Sequence, residues 1–213
     1  MTEREWFAEV NFHRLIDRAG VVLPATERKR RLAFLAWCRA GEANLHLYRA
    51  GLVQHFEDFI EGRAPGLSCT VRADADALWE QAGYTIPAPS LAADYLLEGA
   101  FTSAAWPVAA VAPFALPSAR YGELRGVLYD IFGPLPFRDI TCDPAWLTDT
   151  VRTLARGIYE QKAFERMPIL ADALQDAGCE SEDILNHCRD TACEHVRGCW
   201  VLDLLLGHPW REG

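Results

Sequence analysis

The sequence predicts an all-α protein of about nine helices, arranged as an irregular bundle or a short array of helical hairpins. Apolar residues recur at helical spacing in most of the chain. Capping residues and glycine or proline breaks divide it at intervals typical of helices. No window alternates between polar and apolar residues for more than about four positions, so no strand is predicted. Half of the 213 residues are hydrophobic, which is enough to build a core.

The front of the chain contains three predicted helices. Thr2–Glu5 ("TERE") has the pattern of a capping box, so a first helix is expected to begin here and to end before Gly20. Thr26 is the predicted N-cap of a second helix, which Gly41 is expected to end. An apolar stripe over residues 44–61 predicts the third.

The middle of the chain contains three breaks, at 62–68, 84–90 and 106–117, with helices expected between them over 72–83 and 91–105. The stretch 62–68, "GRAPGLS", is a break and a possible soft domain boundary. The segment 106–117 contains three prolines and is expected to be irregular. A length of 213 residues suits one domain or two small ones, and we expect one helical domain over residues 1–213.

The next part of the chain has strong start and stop signals. Ser118 is expected to cap a helix that ends at Gly133, and residues 134–143 are expected to be extended. Asp143 is then expected to cap a helix that runs to about Gln161.

The C-terminal part is predicted to contain three more helices. Pro168 opens the first of them and Gly178 ends it. Ser181 caps a short second helix, and the last is expected to run from Glu194 to Gly207.

Two stretches, roughly 1–40 and 127–207, are similar to a family of uncharacterised bacterial helical proteins. The similarity is carried by "MTEREW" and "ERKRRLAFLAWCR" at the front and by the tail "HVRGCWVLDLLLG". It implies a helical architecture and no known activity. The chain departs from the family where Trp37 precedes a single Cys38 instead of paired cysteines, and where Cys193 lies in the loop before the tail.

Composition argues against several classes of function. A net charge of −9 disfavours binding to nucleic acid or to an anionic membrane. No apolar stretch is long enough to span a membrane, and the charged start has no signal-peptide core. The seven cysteines include no CxxC pair, so we expect reduced thiols in a cytoplasmic protein. The basic run 27–31, "ERKRR", is expected to be the solvated face of a helix.

The segment from Cys179 to Gly207 concentrates potential metal ligands, with four cysteines and two histidines. On a last helix that begins at Glu194, His195, Cys199 and Asp203 would form one row, because residues four apart share a helix face. With residues from the preceding helix, they offer the nitrogen and sulfur ligands that zinc prefers. The candidate ligands are Cys179, His187, Cys188, His195 and Cys199.

Core packing is the favoured interpretation of these residues, because buried cysteine behaves as a small hydrophobe. Zinc binding is the first alternative and a reactive thiol the second. Asp203 needs a partner on such an apolar helix, since a buried carboxylate is costly alone. The candidate partners are Arg152, Arg156, Arg189 and His195.

The favoured function is a non-enzymatic module that binds another protein. The chain has seven tryptophans and lacks the common nucleotide-binding, hydrolase and metalloprotease motifs. The apolar segment 106–117, with Trp106 and Phe114, and the later Trp210 form the predicted contact surface. A zinc protein or an enzyme that uses the C-terminal Cys/His/Asp cluster is the alternative, and no catalytic residue is assigned. A toxin, immunity or defence component is a third possibility that the residues do not distinguish from the first.

Overall fold

The structure, a computed structural model, describes residues 2–8, 25–40, 57–63 and 120–211. Within these residues the chain is helical and has no β-strand, only one isolated bridge between Ala25 and Arg211. The predicted all-α class is therefore confirmed. The segment 106–117 and most of the break at 62–68 lie outside the described residues.

In these four stretches, seven α-helices have defined bounds, and residues 57–60 are also helical. The α-helices are α1 (Glu3–Ala8), α2 (Glu27–Ala40), α3 (Arg120–Phe132), α4 (Asp149–Gln161), α5 (Met167–Asp176), α6 (Glu182–Arg189) and α7 (Trp200–Leu206). Two 3-10 helices cover Pro144–Trp146 and Phe164–Arg166. In the part of the chain that is described, no helix is long and apolar enough to cross a membrane.

The caps at the front of the chain form as predicted. The amide of Thr2 donates to the Glu5 carboxylate at 2.8 Å, and the amide of Glu5 donates to the Thr2 hydroxyl at 3.2 Å. This reciprocal pair satisfies two amides that the first turn leaves free. The Thr26 hydroxyl accepts from the amide of Lys29 at 3.4 Å, at the start of α2.

The region after α3 differs from its prediction. Residues 133–137 form a turn instead of an extended start, with the amide of Phe137 donating to the carbonyl of Pro134 at 3.0 Å. Asp143 does not cap the long helix, because its carboxylate accepts from Ala145 and caps only the 3-10 helix. Thr148 is the N-cap of α4, since its hydroxyl accepts from the amide of Val151. The chain thus has two successive capping residues, Asp143 for the 3-10 helix and Thr148 for the α-helix.

The last helix begins at Trp200 instead of Glu194, and residues 190–199 form an irregular loop. Two features keep the helix from starting earlier. Gly198 has a φ of +93°, which a right-handed helix does not allow. The amide of Val196 donates to the Asp130 carboxylate at 2.8 Å instead of to a helical carbonyl. The predicted helical row of His195, Cys199 and Asp203 is therefore wrong.

The main core lies among the C-terminal helices. Helix α4 packs against α5 and α7, and α5 packs against α6, while α2 lies on α3. On α4 the buried residues Val151, Ala155 and Ile158 follow helical spacing and form its apolar face. Trp200 is buried in the same core. This packing brings α3, α6 and the loop 190–199 to one place.

Candidate metal centre

Four side chains from distant parts of the sequence converge beside α3. They are Asp130 on α3, His187 on α6, and His195 and Cys199 in the loop 190–199. One donor atom from each lies within 4.8 Å of the donor atoms of the other three. The group therefore offers two imidazole nitrogens, one sulfur and one carboxylate oxygen around a common point.

The Asp130 carboxylate holds the group together. Its Oδ1 lies 2.7 Å from Nδ1 of His195 and 3.1 Å from Nε2 of His187, while its Oδ2 accepts from the amide of Val196. The same Nε2 of His187 lies 3.2 Å from Sγ of Cys199. The two imidazole rings meet edge to face, with centroids 4.9 Å apart. Both imidazoles are thus joined to Asp130, and Cys199 contacts the group through His187.

Burial and charge decide the protonation of the acid and the thiol. The side chain of Asp130 is 0% exposed, that of His195 6% and that of His187 14%, while Cys199 as a residue is 0% exposed. Burial acts to raise the pKa of Asp130, but hydrogen bonds from His187 and His195 outweigh it and hold the pKa at about 2. Burial raises the pKa of the Cys199 thiol well above its ordinary value, and the Asp130 charge adds to the effect. At neutral pH the group therefore holds an ionised carboxylate and a protonated thiol.

The structure brings together three of the five candidate ligands, which are His187, His195 and Cys199. Cys179 and Cys188 are not in the group and are buried in the C-terminal core instead. Cys188 follows His187 on α6, and successive residues on a helix point about 100° apart, so only one of the two faces the site. Both of these cysteines pack as small apolar residues.

Asp130 is a candidate ligand that was not predicted from the sequence. Its neighbours on α3, Val127, Leu128, Ile131 and Phe132, are all buried. A lone carboxylate in such an apolar stretch is the same signal that singled out Asp203, because an ionised acid in a core needs a partner. In "VLYDIF" the same signal marks Asp130 as well.

A cavity of about 480 Å³ opens beside the group. His187 and Trp200 line it, so solvent approaches the group along the His187 ring. At its rim Arg138 donates to the carboxylates of Glu3 and Asp183 and joins α1 to α6. The other three donor residues do not line this cavity.

Asp203 belongs to a separate buried ionic cluster. Its Oδ2 lies 3.0 Å from both Arg28 and Lys29 on α2, and these contacts lower its pKa although burial acts to raise it. The predicted candidates Arg152, Arg156, Arg189 and His195 are not its partners. The prediction of a solvated basic run is also wrong at Lys29, which is 0% exposed. This pairing depends on how α2 packs against α7, which no local pattern specifies.

No protein family, no curated protein and no solved structure matches the chain. The similarity to uncharacterised bacterial helical proteins therefore stays a prediction. The chemistry of the group rests on its own geometry.

Proposed function

We propose that the protein binds one zinc ion, or a similar divalent transition metal, through Asp130, His187, His195 and Cys199. The ion's role is to stabilise the C-terminal helical core. The observation that carries this proposal is the convergence of four donor atoms within 4.8 Å in a buried setting.

The donor set selects the kind of metal. Imidazole and thiolate ligands suit zinc and its neighbours, whereas calcium and magnesium prefer sites built from oxygen alone. Tetrahedral zinc with bonds of about 2.0–2.3 Å separates its ligand atoms by about 3.3–3.7 Å. Nε2 of His187 lies slightly closer than this to Oδ1 of Asp130, at 3.1 Å, and to Sγ of Cys199, at 3.2 Å, while the four donors as a group lie within 4.8 Å of one another. Zinc binding therefore requires small side-chain movements that bring the four donors to a common separation.

Two further features fit a metal. Nε2 of His195 is buried and has no hydrogen-bond partner among the residues described. An unpaired buried nitrogen costs free energy, and coordination by Nε2 itself offsets that cost while Nδ1 keeps its contact with Asp130. The amide of Val196 fixes the second oxygen of Asp130, which is the kind of outer contact that orients a metal ligand.

A structural role is favoured over catalysis. Four protein ligands complete a tetrahedral zinc site and leave no position for substrate or a reactive water. A thiol nucleophile is disfavoured, because Cys199 is fully buried and its pKa is raised. Loss of the thiol proton accompanies metal binding, so the affinity is expected to rise with pH.

The test compares two cysteines that are equally buried, Cys199 in the group and Cys188 outside it. Protein purified without an affinity metal is expected to contain about one equivalent of zinc by elemental analysis, since the described residues contain one group of four candidate ligands. Cys199→Ala is expected to lose the zinc, while Cys188→Ala is expected to retain it. With cobalt(II) in place of zinc, the sulfur-to-cobalt charge-transfer band is expected in Cys188→Ala and not in Cys199→Ala. Wild-type protein that contains less than about a tenth of an equivalent and takes up no cobalt(II) would sink the proposal.

The predicted protein-binding role stays a prediction. Trp106 and Phe114 lie outside the described residues. Trp210 is half-buried against the C-terminal core, with the Arg211 guanidinium 4.8 Å from its ring centroid. A metal that stabilises the helical core is compatible with a partner that binds elsewhere on the chain.

A further inference from the structure

The buried side chain of Lys29 contacts the backbone next to two of the four proposed ligands. Its Nζ donates to the carbonyl of Ile131 at 2.7 Å and to that of Gly198 at 3.0 Å, and it lies 3.0 Å from Oδ2 of Asp203. An ammonium group has three hydrogens, so these partners use its full donor capacity. Lys29 is 0% exposed, and no water is needed to complete its contacts.

The two carbonyls have a particular place in the site. Ile131 directly follows the ligand Asp130, and Gly198 directly precedes the ligand Cys199. One ammonium group on α2 therefore joins the backbone of α3 to the backbone of the loop 190–199. Helix α2 itself supplies no ligand to the group.

The loop and α2 are also in close apolar contact. A Cβ built on Gly198 would lie 2.9 Å from Cδ1 of Leu32, one turn beyond Lys29 on α2. Because Gly198 lies this close to Leu32, a bulkier residue there would push the loop away from α2 and lengthen the hydrogen bonds of Lys29. The position of the Cys199 backbone is thus set from the α2 side.

We propose that Lys29 is a positioning residue for the metal centre, which fixes the separation between Asp130 and Cys199 before the ion binds. This inference rests on the proposed function. Outer contacts of this kind change metal affinity by about 10- to 100-fold when they are removed. Lys29 acts through the two ligand-bearing backbones and does not touch the metal.

A simpler role for Lys29 is to neutralise Asp203, and the two roles predict different results. Asp203 has a second cation at 3.0 Å, Arg28, so the acid keeps a partner when Lys29 is lost. In Lys29→Met the length of the side chain is similar and the donors are gone, so both carbonyls lose their partner. The double variant Lys29→Met/Asp203→Asn removes the buried charge as well, but it does not restore the donors.

The experiment measures zinc affinity in folded protein by competition with a chromophoric chelator, and the cobalt(II) ligand-field spectrum of each saturated protein. Lys29→Met is expected to bind zinc about 10- to 100-fold more weakly and to shift the cobalt(II) bands, because Asp130 and Cys199 are no longer held at a fixed separation. The double variant is expected to bind as weakly as the single one. Leu174→Ala, a fully buried change on α5 in the C-terminal core, is the control for lost stability and is expected to keep the wild-type affinity and spectrum.

Each outcome separates the two proposals. If wild-type protein binds no metal, the proposed function fails and the role of Lys29 fails with it. If the wild type binds zinc, and Lys29→Met binds equally well or the double variant regains wild-type affinity, only the positioning role is overturned. If Lys29→Met does not fold, amide hydrogen exchange of the wild-type protein with and without zinc tests the positioning role instead. Zinc is expected to slow amide exchange in α2 more than in α5, and protection confined to the loop 190–199 contradicts the inference.

Discussion

Replacement of Gly133 by alanine tests the close approach between the end of α3 and the start of α7. Gly133 ends α3 with a φ of +53°. A Cβ at this position would lie 2.5 Å from Cδ1 and 2.6 Å from Nε1 of the Trp200 ring. Trp200 is 2% exposed, and its ring centroid lies 5.2 Å from that of His187, so the ring has little room to move away.

The expected loss of stability has two parts. A left-handed conformation costs a non-glycine residue about 1–2 kcal/mol. Overpacking against a buried ring adds about 1–3 kcal/mol, so Gly133→Ala is expected to lower the free energy of unfolding by about 2–5 kcal/mol. Gly178 provides the control, because its φ is +87° and a Cβ there meets nothing within 4 Å among the described residues. Gly178→Ala should therefore show only the backbone cost of about 1–2 kcal/mol.

Urea unfolding followed by far-ultraviolet circular dichroism measures both variants without relying on tryptophan emission, which a displaced Trp200 would change. Gly133→Ala is expected to lose at least about 1 kcal/mol more than Gly178→Ala. Because Trp200 directly follows Cys199, Gly133→Ala is also expected to bind zinc more weakly. Equal losses of stability in the two variants would show that the close approach to the ring has no energetic consequence.

Two further predictions concern the buried ionic cluster and the thiols. Asp203→Asn leaves Lys29 and Arg28 facing a neutral group, so the free energy of unfolding at pH 7 is expected to fall by about 3–5 kcal/mol. The folded pKa of Asp203 lies below the unfolded value of about 3.9, so this contribution is complete above about pH 5 and is lost as the pH falls through the folded pKa. The difference in urea midpoint from wild type should stay constant between about pH 7 and pH 5 and shrink below about pH 4, and a difference undiminished at about pH 3 contradicts the assignment. In native protein a thiol reagent should modify the half-buried Cys142 well before the fully buried Cys199, as read by peptide mass spectrometry, and the reverse order would show that Cys199 is accessible.

Much of the local structure follows from short stretches of sequence. The capping box at Thr2–Glu5, the N-cap at Thr26 and the glycine end of α3 form as predicted, because the groups that interact are only a few residues apart. Ser181 likewise occupies the N-cap position of α6. The all-α class follows from the same signals summed along the chain.

The start of the last helix was not predicted correctly from local sequence signals. Apolar residues from Val196 onwards favour a helix that starts early, but the amide of Val196 hydrogen-bonds to Asp130, which lies 66 residues away. That bond and the left-handed Gly198 turn residues 190–199 into a loop. The change places His195 and Cys199 around Asp130 instead of along one helix face.

The sequence by itself determined the helical class, most helix ends among the residues that the structure describes, and the candidates His187, His195 and Cys199. Only the tertiary structure decided that Asp130 joins them, and that Asp203 pairs with Arg28 and Lys29 across 175 and 174 residues. The physical reason is the distance along the chain over which each kind of interaction acts. Caps and helix periodicity depend on neighbours within one or two turns, whereas a buried charge is stabilised by whichever opposite charge the packed helices bring within about 3–4 Å of it.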